Sequence, residues 1–210
     1  MIRVLISDDH AILRRGLKEI LVRELPGVVC GEAGDAHEVL DQVQGHRWDL
    51  VILDVTMPGP SGVDVLRDLK RLQPKLPVLV LSVHPEDQYG KRMLRAGASG
   101  YMNKDVAPDE LIKAVQKVLS GGQYVSPALA EKLALELGEE TGRPAHESLS
   151  DREFEVLRMM ASGKTVSEIA DTLHLSVTTV STYRARILEK MHLTTTAELM
   201  HYALRNHLVD

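Results

Sequence analysis

Through residues 1–120, short apolar runs alternate with amphipathic stretches, and the two periods separate cleanly. Runs such as Val4-Leu5-Ile6 and Leu50-Val51-Ile52-Leu53 are apolar throughout, the mark of strands buried on both faces, while the stretches between them place apolar residues three and four apart. The pattern predicts strands over 3–7, 28–33, 49–54, 78–82 and 100–102, and helices over 11–24, 36–45, 62–72, 86–96 and 108–120. Strict alternation with short connections implies an α/β domain, a doubly wound five-stranded parallel sheet with right-handed crossovers. Gly121 and Gly122 stop its last helix.

Ser126-Pro127 then opens a helix to about Leu137, followed by GEETGRPAHES, a stretch rich in Gly, Glu and Pro that reads as an interdomain linker. From Leu149 onward the signals are helical. Ser150 with Glu153 three residues later is a capping box for a helix to about 162, which Gly163 ends. A short helix over 166–173, a turn at His174-Leu175, a longer helix from the Ser176 cap to about 191 and a last helix over 196–206 complete the chain. Two helices joined by a tight turn, inside four short helices, make a helix-turn-helix arrangement. The expected organisation is one domain over 1–122, a linker with a short helix over 123–147 and an all-α domain over 148–210.

Composition agrees with two soluble domains. The 210 residues are 44% hydrophobic but only 3% aromatic, so Leu, Val, Ile, Ala and Met must fill the cores. Cys30 stands alone, which excludes an intrachain disulfide. The chain begins at once with a strand pattern, and no run approaches the roughly 18 apolar residues of a membrane span, so a cytoplasmic protein without membrane contact is expected. Net charge is -5, and residues 148–210 carry 7 Lys+Arg against 8 Asp+Glu, so any contact with DNA has to be local.

The chemistry gathers at strand ends. Asp54 closes the run WDLVILD and is followed by the loop VTMPGPSG; Asp8 and Asp9 close the first strand. In a doubly wound sheet of order 2-1-3-4-5 those two strands are neighbours, so three carboxylates converge at the carboxyl edge. Such a concentration of negative charge calls for a cation, and a set of oxygen ligands suits Mg²⁺. Ser82 and Lys104 arrive at the same edge, and a metal, a hydroxyl and an ammonium around a carboxylate form a site for a phosphoryl group. An acidic doublet such as Asp8-Asp9 can also be simply a helix N-cap.

DD at 8 and 9, DVTMPGPSG at 54–62, LSVH at 81–84 and GYMNKD at 100–105 resemble, in order, the motifs of the receiver domain of bacterial two-component response regulators. The resemblance covers about residues 1–120 and implies a flavodoxin-like fold. It further implies that Asp54 accepts a phosphoryl group from a sensor histidine kinase or a small phosphodonor. Mg²⁺ would be held by Asp9, Asp54 and the Thr56 carbonyl, with Asp8 assisting through water. It implies a switch in which Ser82 turns toward the phosphoryl group and Tyr101 moves inward behind it; the alternative for Tyr101 is a static strand residue with its hydroxyl in water. Thr56 and His84 fall where the family tunes phosphoryl lifetime. Lys104 is followed by Asp105, where many receivers carry proline, so no cis peptide is expected and Asp105 could compete for the ammonium.

The segment from Leu149 to Met191 resembles the LuxR-type helix-turn-helix of the NarL/FixJ subfamily, through Arg152, Glu153, Val156, Leu157, Gly163, Glu168, Ile169, Ala170, Leu173, Ser176, Thr179, Val180 and Lys190. Ile169, Ala170, Leu173, Val180, Ile187 and Met191 recur at helical spacing and are expected in the core. The candidate DNA-contacting residues are Thr178, Thr179, Ser181, Thr182, Arg184, Ala185, Arg186 and Lys190, a set of hydroxyls and cations that suits phosphates and base edges. So few basic residues imply weak binding by a single domain, and the resemblance implies a homodimer on two half-sites. The chain thus reads as a phosphorylation-dependent DNA-binding transcription regulator and not as an enzyme. A haloacid-dehalogenase-type phosphatase would need Asp two residues after the nucleophile, where Thr56 stands. The other rival is a binding module whose receiver merely dimerises.

Overall fold

The computed structural model describes residues 1–57, 60–138 and 144–209; Pro58-Gly59 of the loop after Asp54 and residues 139–143 of the expected linker lie outside them. The chain divides into two compact units, Met1–Glu139 and Glu140–Asp210.

The first unit alternates β1 (Ile2–Ser7), α1 (Ala11–Glu24), β2 (Val28–Ala33), α2 (Ala36–Gly45), β3 (Leu50–Asp54), α3 (Gly62–Leu72), β4 (Val78–Ser82), α4 (Glu86–Arg95), β5 (Gly100–Asn103) and α5 (Pro108–Leu119). All pairings are parallel and the order is β2-β1-β3-β4-β5, as expected from the alternation. Every residue of β3 and β4 is buried, which explains why these strands read as unbroken apolar runs. Burial of each Val, Leu or Ile there contributes about 1.5–3 kcal/mol. Helix starts follow from side-chain caps: Asp35 accepts from the Glu38 N–H and Ser61 from the Asp64 N–H. α3 and α5 bury one face each, through Val63, Leu66 and Leu69 and through Leu111, Val115 and Val118.

Register places the chemistry. Ser7 pairs with Leu53, so Asp8 leaves β1 beside Asp54; Asp54 pairs with Leu81, and Ser82 with Asn103, so Ser82 emerges one step and Lys104 two steps further along the same edge. At the opposite end of β3 the chain's single tryptophan, Trp48, lies against Gly31, where a Cβ would come within 2.2 Å of its ring. Its indole N–H donates to the Gln42 carbonyl (3.0 Å), and the Arg3 guanidinium sits 5.4 Å over the ring.

The first part of the expected linker packs on the first unit. Residues 123–138, including α6 (Pro127–Gly138), belong to the first unit, because Tyr124 bridges to Gly100 on the β5 edge and Leu129 is buried. A 3-10 turn over Ala145–Ser148 begins the described part of the second unit. There the His146 ring nitrogen lies 2.9 Å from the Tyr202 hydroxyl and its ring packs 5.9 Å from Phe154.

The second unit consists of α7 (Asp151–Ala161), α8 (Val166–Leu173), α9 (Val177–Lys190) and α10 (Thr196–Arg205). Capping boxes open α7, α8 and α10, the first as expected at Ser150 and Glu153. Ile169, Ala170, Leu173, Val180, Ile187 and Met191 are all buried, as their spacing predicted. Helices α8, α9 and α10 are each followed by a histidine in the left-handed region, His174 (φ 53), His192 (φ 55) and His207 (φ 52). A Cβ crowds the following carbonyl there. His192→Gly is therefore expected to stabilise this unit by about 0.5 kcal/mol, read as a raised thermal midpoint, because relief of that crowding outweighs the extra freedom glycine brings to the unfolded chain.

Candidate functional site

The carboxyl edge of the sheet holds a nearly closed charge cluster. Asp54 is fully buried and Asp8 is 1% exposed. The Lys104 ammonium reaches both, 2.7 Å from Asp54 Oδ2 and 2.7 Å from Asp8 Oδ2. Burial alone would lower the lysine pKa, but the two carboxylates outweigh it and hold the group above its ordinary value, so Lys104 stays charged. Asp105 does not enter this pairing; its N–H donates to the Asn103 side chain instead (2.9 Å), and no peptide bond among the described residues is cis. The other oxygen of Asp54, Oδ1, accepts from the Thr56 N–H (2.8 Å) and the Thr56 hydroxyl (2.6 Å). Thr56 is thus a donor to the central carboxylate and has no acidic function there.

The ligand atoms of Asp8, Asp9, His10 and Asp54 lie within 4.8 Å of one another. His10 was not singled out from the sequence. Its Nδ1 lies 2.7 Å from Asp9 Oδ1 and 3.1 Å from Asp8 Oδ1, and its backbone N–H donates to Asp8 Oδ1 (2.8 Å). The capping alternative for the doublet fails in one respect: the residue before α1 is His10, and no side chain caps that helix. Arg14, also missed, donates to the Asp8 carbonyl (2.6 Å) and lies 3.5 Å from Glu32, so α1 reaches back to hold the doublet.

Ser82 is fully buried beside this cluster. Its Oγ accepts from the His84 N–H (3.0 Å), and its carbonyl accepts from the Lys104 N–H (2.8 Å). Tyr101 is fully buried as well, and its hydroxyl donates to the His84 carbonyl (2.9 Å), so the alternative of a strand residue with its hydroxyl in water does not hold. The His84 ring stacks on Tyr89 of α4 at 4.5 Å. The strand ends predicted that Asp8, Asp9, Asp54, Ser82 and Lys104 share one edge, and they do; the part played by the His84 backbone in joining Ser82 to Tyr101 left no signal in residue type.

In the second unit α9 exposes Thr178, Ser181, Thr182, Ala185 and Arg186. The Thr179 N–H and hydroxyl are engaged by the Ser176 cap (3.0 and 2.7 Å), and the Thr182 hydroxyl donates to the Thr178 carbonyl (3.0 Å). Two expected contact residues bond to neighbouring helices, Lys190 while remaining exposed: Arg184 Nε donates to the Thr196 hydroxyl (2.9 Å), and Lys190 Nζ to the Glu153 carboxylate (2.6 Å). Each reaches a neighbouring helix, a partner that a helical wheel of α9 alone does not reveal.

Glu153 is buried at 2% exposure. Burial pushes its carboxyl up, yet the Lys190 ammonium and the Ser150 cap overcome this and leave it below its ordinary value. A depressed carboxyl contributes stability above the unfolded-state pKa of 4.5 and loses it as pH falls through the lower folded-state value. Acid titration of thermal unfolding should show this loss, and a Glu153→Gln chain should lack that component.

Two family models match the chain: the response regulator receiver domain over residues 4–116 and the bacterial regulatory proteins of the luxR family over 147–203. Response regulator GacA of Pseudomonas aeruginosa is 38% identical over 212 residues, covering 100% of this chain and 99% of the relative. Response regulator UvrY of Escherichia coli is 34% identical, covering 100% and 97%. Among solved structures, RcsB of Salmonella enterica serovar Typhimurium, bound to promoter rprA in the presence of phosphomimetic BeF3-, is 28% identical with a TM-score of 0.65 over 96% of this chain and 98% of its own. No helix among the described residues is long and apolar enough to cross a membrane. With a receiver sheet closed on an acidic cluster, a helix-turn-helix unit after it in the chain and relatives matched from end to end, the chain belongs to the NarL/FixJ family of response regulators, which join a receiver domain to a LuxR-type DNA-binding domain.

Proposed function

We propose that Asp54 is the phosphoryl acceptor of a cytoplasmic two-component pathway, and that its phosphorylation raises the affinity of the second unit for operator DNA. The observation that carries this reading is the Asp54 carboxylate, fully buried yet facing two donors, with Lys104 on one oxygen and Thr56 on the other. In the transfer a carboxylate oxygen attacks phosphorus, the bond from phosphorus to the kinase imidazole breaks, and its electron pair stays on that nitrogen. The Lys104 ammonium follows the charge onto the phosphoryl oxygens, and the Ser82 hydroxyl offers them a donor.

The donor set fits Mg²⁺. Asp9 and Asp54 with the Thr56 carbonyl would hold the ion directly and Asp8 through water, the hard oxygen ligands that this cation prefers. When bound it would neutralise charge on the transferring group. His10 now lies on the carboxylates of Asp8 and Asp9 and would share or yield them. A phosphatase reading is disfavoured by Thr56, which donates to Asp54 and has no titrating proton to exchange with a leaving group.

Domain boundaries at 122 and 148 go with this reading, 123–147 being a linker whose first half is held on the receiver. The solved RcsB complexes include two dimers on two parallel DNAs, and by likeness this chain binds DNA as a homodimer through α9. Thr178, Ser181, Thr182, Ala185 and Arg186 form the contacting face, with Thr179 near its start; Arg184 and Lys190 chiefly orient the helix through Thr196 and Glu153. The test is operator binding with and without phosphodonor at fixed salt. Phosphorylation is expected to tighten binding about 10-fold. Arg186→Ala should weaken binding to all sequences alike and flatten the salt slope by about one unit for each phosphate it no longer neutralises. Equal affinity with and without full phosphorylation would leave the phosphorylation-independent module as the better reading.

A further inference from the structure

The chain lays its own linker on the switch side of the receiver. After α5, Tyr124 donates its N–H to the Ser99 carbonyl (2.9 Å) and accepts from the Tyr101 N–H (3.4 Å), so it extends the sheet past β5. Its phenol donates to the Glu110 carboxylate on α5 (2.7 Å). Two residues later the Ser126 N–H donates to the Glu86 carboxylate (3.1 Å), and Ser126 Oγ accepts from the Leu129 N–H (3.1 Å), which starts α6. Leu129 is 3% exposed and fills the place where Gly90 of α4 has no side chain; a Cβ at 90 would come within 2.7 Å of Leu129 Cδ2. Glycine weakens a helix relative to alanine, and here the seat for Leu129 offsets that weakening.

Two short routes join this seat to the phosphoryl site. Ser82 holds the His84 N–H, His84 stacks on Tyr89, and two residues after His84 stands Glu86, which holds the N-terminus of α6. Tyr101 holds the His84 carbonyl through its hydroxyl and Tyr124 through its backbone N–H. Tyr101 therefore touches both the switch loop and the start of the linker.

We propose that the α4–β5 face of the receiver is an interaction surface occupied by the chain's own helix α6, and that phosphorylation of Asp54 tightens this clamp through Ser82, His84 and Glu86 and through Tyr101 and Tyr124. The proposal rests on the reading of Asp54 as phosphoryl acceptor. Its direction follows from the geometry. The clamp is closed in the arrangement where Tyr101 is buried and Ser82 Oγ accepts from the His84 N–H, which leaves the serine proton available for a phosphoryl oxygen. A group that binds this arrangement better than its alternatives shifts the population toward it. While α6 is seated, the same face is closed to other proteins.

Hydrogen exchange on the full chain, with and without BeF3- and Mg²⁺, tests this. Amides of α6 are expected to exchange about 5–10-fold more slowly with BeF3- present. Glu86→Ala, a change at the periphery, should remove most of that slowing while the amides of β3 keep theirs, and Leu129→Glu should leave α6 exchanging fast in both conditions. If the amides of Val83, His84 and Glu86 respond to BeF3- while α6 does not, or speeds up, the clamp is refuted and the reading of Asp54 stands. If neither responds, both fall.

Discussion

An Asp54→Asn chain is expected to incorporate no acid-labile phosphate from a kinase or a small phosphodonor, a loss of at least about 100-fold in rate. The substitution is nearly isosteric, so the Thr56 donors keep an oxygen partner, and β3 stays buried. What goes is the anionic oxygen that attacks phosphorus. No neighbour can replace it: Asp8 is turned to Lys104 and His10, and Asp9 leaves the sheet one residue further out. Intact mass before and after mild acid treatment measures the outcome, and stoichiometric modification of the Asp54→Asn chain would sink the assignment.

The second large effect concerns stability. In Lys104→Ala the carboxylates of Asp8 and Asp54 face each other without their shared ammonium, each nearly or fully out of water. Breaking a buried ion pair by removing one partner costs about 3 kcal/mol or more, because an uncompensated charge stays behind. Denaturant unfolding should show a lower midpoint for the first unit. Mg²⁺ should restore more stability to the variant than to the native chain, since a cation that binds only the folded state stabilises by mass action and here replaces the missing charge. A variant as stable as the native chain and indifferent to Mg²⁺ would mean that the cluster is not held as described.

Much of this site was legible because a parallel sheet converts sequence order into position. Once Leu50 to Leu53 reads as a strand buried on both faces, Asp54 has to emerge at the edge where Asp8, Ser82 and Lys104 also emerge. The helices of the second unit were likewise legible, since their starts are written in Ser150, Ser176 and the residues that follow. What escaped were pairings between elements. Nothing in the type of Gly90 or Leu129 says that one seats the other, and the contact of Tyr124 with Ser99 and Tyr101 is made by backbone groups that every residue carries. Arg184 and Lys190 share the exposed helix with Arg186, yet their partners Thr196 and Glu153 come from other helices. His10 was within reach, since a ring next to two carboxylates is a ready hydrogen-bond partner; its place directly after the doublet was the signal.

Trp48 gives the molecule a built-in optical probe of one half only. It is the sole indole in the chain and lies six residues before Asp54, about 20 Å away along β3, pressed on Gly31 and bonded to Gln42. Its emission should be nearly silent to events at the carboxyl edge and should change sharply when the sheet melts. Excitation at the red edge of protein absorbance then follows the unfolding of Met1–Glu139 alone, while far-ultraviolet dichroism sums both units, so a difference between the two curves isolates the melting of the helical unit without cutting the chain.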